Sequence, residues 1–167
     1  VLVMFMAAGF TMLEAGSVRS KNVVEILFKN IALYSVASIT YLLLGYTLMY
    51  GWNDPPDHAL WSDFFFQAVF VATAMSVVSG AVAERKRLWT FLGFAAIFTA
   101  LIYPIQGAWS WGGGWLSELG FFDFAGSGIV HMAGASAALA AVLLLGPRIG
   151  KYDISGNPQP IHGSNAA

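Results

Sequence analysis

Four stretches of eighteen or more residues pass without a single Asp, Glu, Lys or Arg, and they decide what this chain can fold into. They cover residues 31–50, 64–83, 88–108 and 129–146. A helix crosses the hydrocarbon core of a bilayer with about 20 predominantly apolar residues. A buried helix of a soluble protein could imitate one such run, but not four in succession. A fifth run, 1–13, is too short to span unless its beginning is missing. Only 10% of the 167 residues are charged, against roughly 25% in a soluble domain, so a water-facing surface could not be covered. The chain is expected to be an all-α, polytopic transmembrane helix bundle. A net charge of -1 leaves no basic footprint for nucleic acid. With no cysteine there is no disulfide framework.

The basic residues give the topology. Arg19, Lys21 and Lys29 precede the second run, Arg85, Lys86 and Arg87 separate the third from the fourth, and Arg148 and Lys151 follow the fifth. If five spans alternate, all eight basic residues fall on one side, which the positive-inside rule assigns to the cytoplasm. The opposite loops hold Asp54, Asp57, Asp63, Glu118 and Asp123 and no Lys or Arg. The expectation is a multi-pass protein of the cell (plasma or inner) membrane, with its amino end outside and an acidic outer face. No signal peptide is visible. The chain begins inside an apolar stretch and ends in a polar one, so residues 1–167 read as one membrane domain cut at both ends.

Local patterns refine the reading. Residues 51–56, Gly-Trp-Asn-Asp-Pro-Pro, predict a loop, because proline removes a donor and breaks helices. Glu25 and Lys29 are spaced as an i,i+4 pair with the acid first, which predicts a second helix that starts before the membrane and protrudes from it. Pro104 predicts a kink within the fourth span, tolerable where neighbours satisfy the freed carbonyl.

Several residues could carry chemistry. His131 is the one histidine within an apolar run, and an intramembrane ionisable group faces a cavity or a partner. A neutral imidazole bonded to a neighbouring helix is the structural alternative. Haem held by two histidines would need a second intramembrane His, which these residues lack. Gly134 and Ala138, in small-xxx-small spacing, predict close helix packing, and place the fifth helix in the middle of a bundle. Ser127 and His131 share a face. Asp123 precedes this helix, where a carboxylate can accept bonds from its unpaired amides. Trp109, Trp111 and Trp115 surround three glycines; an interfacial aromatic belt explains the indoles, and a cation held over a π face explains the glycine run beside them. Phe66 and Phe70 share one face of the third helix.

Together these segments resemble the Amt/Mep/Rh ammonium transporter family, of the bacterial Amt type. The resemblance is carried by Glu14-Ala15-Gly16-Ser17-Val18-Arg19-Ser20-Lys21-Asn22, by Phe66-Gln67-Ala68-Val69-Phe70 running to Gly80-Ala81-Val82-Ala83-Glu84-Arg85, and by Trp111-Gly112-Gly113-Gly114. The most specific match is Asp123-Phe124-Ala125-Gly126-Ser127-Gly128-Ile129-Val130-His131, continuing to Gly146-Pro147-Arg148. It implies the ammonium-transporter fold, eleven helices of which the first ten form two halves of inverted topology, with this chain matching only the first five-helix half. It also implies a homotrimer with a path through each subunit, no cofactor, and a cytoplasmic regulator of the PII type as a partner.

By the same resemblance, Trp111 and Phe70, with Phe66 beside them, form an outer ammonium site, and Phe66 and Phe70 form the outer part of a phenylalanine gate. Asp123 is the buried carboxylate that shapes the mouth and supports selectivity. His131 is the first of two histidines lining an apolar lumen. The second gating phenylalanine, the serine of the outer site and the second histidine belong to the family's later half and are not identifiable here. The implied activity is transport of ammonium or ammonia rather than catalysis. The alternatives are an ammonium-sensing membrane domain of a signalling protein, which would share the binding residues, and a membrane scaffold without transport.

Overall fold

The computed structural model describes residues 2–51 and 57–163. Among the described residues, five long helices form the fold: α1 Leu2–Ser17, α2 Ser20–Tyr50, α3 Leu60–Ala81, α4 Leu88–Ala108 and α5 Ser127–Leu145. The last four are long and apolar enough to cross a membrane. The loop expected over 51–56 lies, from Trp52 onward and with Asp54, outside the described residues. α2 and α5 stop at Gly51 and Gly146, at φ of 71° and 70°, a backbone conformation that glycine adopts without steric cost.

α3 is the centre of the bundle. Its residues Val71, Ala74, Met75 and Val78 meet Leu33 and Tyr41 of α2, Phe91, Ala95 and Phe98 of α4, and Ile129 and Val130 of α5 in one core. The small residues set how closely the helices come. A Cβ on Gly134 would lie 2.5 Å from the Ala74 carbonyl oxygen, so α5 rests on α3 backbone to backbone. Hydroxyls within α3 are satisfied in place: Thr73 donates to the Val69 carbonyl and Ser76 to that of Ala72.

Within this five-helix unit α5, expected in the middle of a bundle, lies at the edge. Gly134 and Ala138 are buried against α3, while His131, Ala135, Ser136 and Leu139 are exposed. The small-residue stripe fixes one face of a helix and says nothing about the other.

Three helices contain wide π turns: Tyr41–Gly45 in α2, Phe98–Ile102 in α4 and Ser127–Met132 in α5. The first two pack together. A Cβ on Gly45 would lie 2.8 Å from the Thr99 carbonyl oxygen and 2.9 Å from Pro104 Cγ. The hydroxyls of Thr40 and Thr99 are 2.7 Å apart. Pro104 has no N–H to donate, and the widened turn before it absorbs that loss.

Lys29 corrects the sequence reading. Instead of a solvated partner of Glu25, it is buried and ion-paired with Glu14 of α1. Asn30 donates to the other oxygen of Glu14, 2.9 Å away, and Ser79 of α3 bonds the same carboxylate at 3.0 Å and 3.1 Å. Three helices are thus tied through one carboxylate. α2 begins well before residue 31 because this pairing lets charged residues enter the bundle. At 31 residues, and ~1.5 Å per residue, it spans roughly 46 Å, more than the ~30 Å hydrocarbon core.

The connection between α3 and α4, residues 82–87, lies over the basic end. Glu84 has φ of 61°, within the left-handed region that favours glycine. Its carboxylate accepts from the Arg19 amide and guanidinium, both at 3.1 Å, from Asn22, and from Arg148 at 3.4 Å. Burial alone would raise its pKa, but the bonds from Arg19 and Asn22 hold it below the usual carboxylate value. Arg85 donates to the Gly146 carbonyl at the end of α5, 2.7 Å away. Lys86 points inward, its ammonium over the Phe91 ring. Burial first, then the Lys29 charge, pushes its pKa down to about 6. Attraction of the charged form to the ring, about 2 kcal/mol when desolvated, works against this.

Removing one partner of a buried pair leaves an uncompensated charge, at a cost of about 3–5 kcal/mol. Glu14→Ala is therefore expected to lower the thermal unfolding temperature of the full-length protein in detergent sharply. The double substitution Glu14→Gln with Lys29→Met should recover most of the loss. Equal losses in the single and double variants would show that the pair itself is not what counts.

Candidate functional site

The site is built at the acidic end from the third helix, the α4–α5 loop and the start of α5. The loop reverses the chain over Trp109–Gly114 by bonds that only small residues permit. The amides of Gly112 and Gly114 donate to the Gly107 and Ala108 carbonyls, at 3.2 Å and 3.0 Å, and Gly113 sits at φ of 76°. A Cβ on Gly112 would lie 2.2 Å from the Met49 carbonyl oxygen, so the glycine run lets this loop press against the end of α2.

That turn delivers the Trp111 indole to Phe70. The ring centroids are 5.6 Å apart and inclined at 66°, and Phe66 meets Phe70 edge-on at 4.9 Å. Trp111 Nε1 donates to the Asp123 carbonyl oxygen at 2.6 Å, which fixes the ring's orientation. The far edge of the indole would be 3.2 Å from a Cβ on Gly126, so Gly126, at φ of 81°, serves both the turn and the ring. Phe66 is 44% exposed and borders a cleft of about 410 Å³ between α1 and α3, lined also by Val3, Met4, Trp61 and Phe65.

The Asp123 side chain is spent on the backbone. Oδ1 accepts the amides of Gly126 and Ser127 at 2.9 Å and 3.0 Å, and Oδ2 those of Gly128 and Ile129 at 2.9 Å and 2.8 Å. These are the unpaired donors of the α5 start. The full charge of the carboxylate exceeds the partial positive charge of a helix N-terminus, about half a unit, so a net negative field remains beside the indole. With four amides taken, both carboxylate oxygens of Asp123 are engaged by the backbone.

His131 is on α5, in the wide turn, its amide bonded to the Gly126 carbonyl at 3.0 Å. Its side chain lies on the exposed face with Ser127 and Ala135. The structure therefore gathers Phe66, Phe70, Trp111 and Asp123 in one chain of contacts, while the His131 imidazole makes no hydrogen bond to a described residue.

Sequence reasoning missed a second cluster beside this site. Tyr46 Oη donates to Asp63 Oδ2 at 2.7 Å, and His58 lies 3.6 Å from Oδ1. Tyr46 in turn packs with Tyr41 and Phe64, the three ring centroids 5.7–6.1 Å apart. The Tyr41–Tyr46–Tyr50 spacing was the available signal, but it spans a wide turn and so does not follow helical periodicity.

Asp123→Ala leaves four amides unpaired at the start of α5. Loss of a capping side chain costs about 0.5–2 kcal/mol, and orphaned buried donors add to it. A loss of at least ~2 kcal/mol in unfolding free energy is expected. Wild-type thermal stability in this variant would show that the four bonds carry no weight.

Residues 1–167 match the family model described as the Ammonium Transporter Family. Among curated proteins, the chain is 46% identical to ammonium transporter Amt2 of Archaeoglobus fulgidus, over 99% of this chain and 41% of that protein. It is 48% identical to the putative ammonium transporter sll1017 of Synechocystis, over 92% of this chain and 39% of that protein. The chain thus spans about two fifths of the length of these relatives. Among solved structures, one titled Sensor Amt Protein superposes with a TM-score of 0.90 at 36% identity, covering 98% of this chain and 46% of that one. Mep2 of Candida albicans, in a mutant form, superposes with a TM-score of 0.78 at 29% identity, covering 89% and 38%. A helical bundle with four membrane-spanning candidates and a full-length family match together show that this chain belongs to the ammonium transporter family.

Proposed function

We propose that this chain forms part of a transporter that recruits ammonium at an aromatic outer site, strips its proton and conducts ammonia along an apolar path. The observation that carries the reading is the Phe70–Trp111 pair, 5.6 Å between centroids, beside the net negative field of Asp123. An indole face attracts a desolvated cation by about 2 kcal/mol or more. Beyond the rings, an unpaired charge in apolar surroundings is strongly disfavoured, and the same penalty lowers the pKa of an ammonium group. Deprotonation resolves the conflict, and neutral ammonia then passes the phenylalanines toward His131.

In this reading Trp111 and Phe70 bind the cation, Phe66 borders its approach, Asp123 sets field and geometry, and His131 lines the path. The exposed imidazole face of α5 would meet the remainder of the conduction path. The second histidine and second gating phenylalanine of the family are not among these 167 residues. Segregation of the basic residues supports a cell-membrane protein with its amino end outside. The family resemblance supports a homotrimer and a PII-type regulator on the cytoplasmic side.

Sensing is the second reading, favoured by the superposition on the structure titled Sensor Amt Protein. The two part on one measurement. A transporter takes up labelled methylammonium when the full-length protein is expressed in cells lacking other ammonium carriers; a sensor binds ammonium without uptake.

In that assay Trp111→Leu is expected to raise the half-saturating concentration roughly 30-fold, the equivalent of about 2 kcal/mol. His131→Ala should abolish most uptake while leaving expression and assembly intact. Unchanged uptake in His131→Ala would remove this residue from the mechanism, and an unchanged half-saturation in Trp111→Leu would remove the cation–π site.

A further inference from the structure

We propose that the α3–α4 connection, residues 82–87, is a clasp across the basic end of the bundle whose closure is set by pH through Lys86. The inference stands on the Lys86 environment and is independent of what the protein carries.

The Lys86 ammonium nitrogen is buried and has no hydrogen-bond partner among the described residues. It lies over Phe91 of α4, itself 4% exposed. The Lys29 ammonium of α2 is 5.6 Å from the centroid of the same ring. The charged groups around it are few. From α1 comes Glu14, whose oxygens are taken by Lys29, Asn30 and Ser79. From α2 come Lys29 and Glu25, the latter exposed. On the connection itself, Glu84 is turned to Arg19, Asn22 and Arg148, Arg85 to Gly146, and Arg87 to solvent. α4 contributes only the ring. Lys86 therefore has a like charge beside it and no carboxylate in contact.

Such a site holds the amine neutral. Burial, then Lys29, brings its pKa to about 6 in the closed form, whereas a lysine released to water titrates near 10.4. Opening the clasp takes up a proton throughout that interval. The sign follows from linkage: closure is strongest above the free-lysine pKa and weakens as pH falls, about tenfold per pH unit, until about pH 6. Below that, both forms are protonated and the dependence ends. The physiological range lies on the slope.

What opening would release is specific. The same six residues carry the Glu84 hub, which binds the α1–α2 link and Arg148, and the Arg85 bond to the end of α5. Glu84 holds a positive φ, a conformation that costs a non-glycine residue energy and persists only while its surroundings enforce it. Lys86, two residues on, is the apolar anchor of the same connection. Acidification of the basic side thus loosens three points of attachment through one residue.

The test is hydrogen–deuterium exchange of the peptide covering residues 82–87 in the full-length protein, in lipid nanodiscs, from pH 6.5 to 8.5. After correction for intrinsic exchange, the opening constant of the wild type is expected to rise about tenfold for each unit of acidification. Lys86→Met keeps the length and apolar contact of the side chain and should exchange slowly and independently of pH. Lys86→Arg, charged throughout, should exchange fast at every pH. A flat wild-type profile, which needs no variant to observe, overturns the proposal, and so does a slope that survives in Lys86→Met.

Discussion

Inside a bilayer, a polar group that finds no partner in the protein finds none at all, and this bundle is organised by that constraint. Each unsatisfied backbone or side-chain group in hydrocarbon costs several kcal/mol. Asp123 accepts four amides at the start of α5. Glu14 collects Lys29, Asn30 and Ser79 from two other helices. Thr73, Ser76 and Thr99 return their hydroxyls to carbonyls one turn back. In each case a polar residue that would be a liability alone becomes a fixed point, and the fixed points decide which helices meet.

Wide turns and small residues supply the remaining freedom. A widened turn lets α4 pass Pro104 without a sharp bend, and the bulge it creates is accommodated by Gly45 on α2. Gly134 does the same between α5 and α3. Close backbone approach at these points gains the dispersion contacts that hold membrane helices together, since lipid tails compete for every apolar surface. The third wide turn contains His131. Next to it along the chain Val130 is buried, while His131 is on the exposed side.

Much of this was legible in the sequence. Four apolar runs gave the helices, and eight basic residues gave the common end that Arg19, Glu84 and Arg148 share. The helix limits were not, because hydropathy treats charged residues as boundaries. Lys29 is charged and buried, and its partner Glu14 lies fifteen residues away on another helix, a distance no local spacing reveals. The same holds for the indole at position 111, whose bond to the Asp123 backbone depends on a turn twelve residues long. Spacing could mark Phe66 and Phe70 as neighbours; it could not bring a tryptophan to them. Small-xxx-small spacing identified the face of α5 that packs, and gave no account of the face that carries His131.

In the proposed reading, the relation between Asp123 and the aromatic pair explains why a carboxylate stands at a place where its oxygens are taken by the backbone. A neutral cap such as Ser or Asn would satisfy one or two amides and leave the helix start positive, which repels a cation from the indole beside it. The carboxylate satisfies four and reverses the sign. Its main chain meanwhile holds the indole through Nε1, so the residue that sets the local potential also sets the ring's angle to Phe70. Field and geometry are fixed by one amino acid, and a substitution that spared either would still disturb the other. In the proposed reading the acidic end is a preorganised element: the helix start that positions the indole is already bonded, and its positive end outweighed by the carboxylate, before any cation arrives.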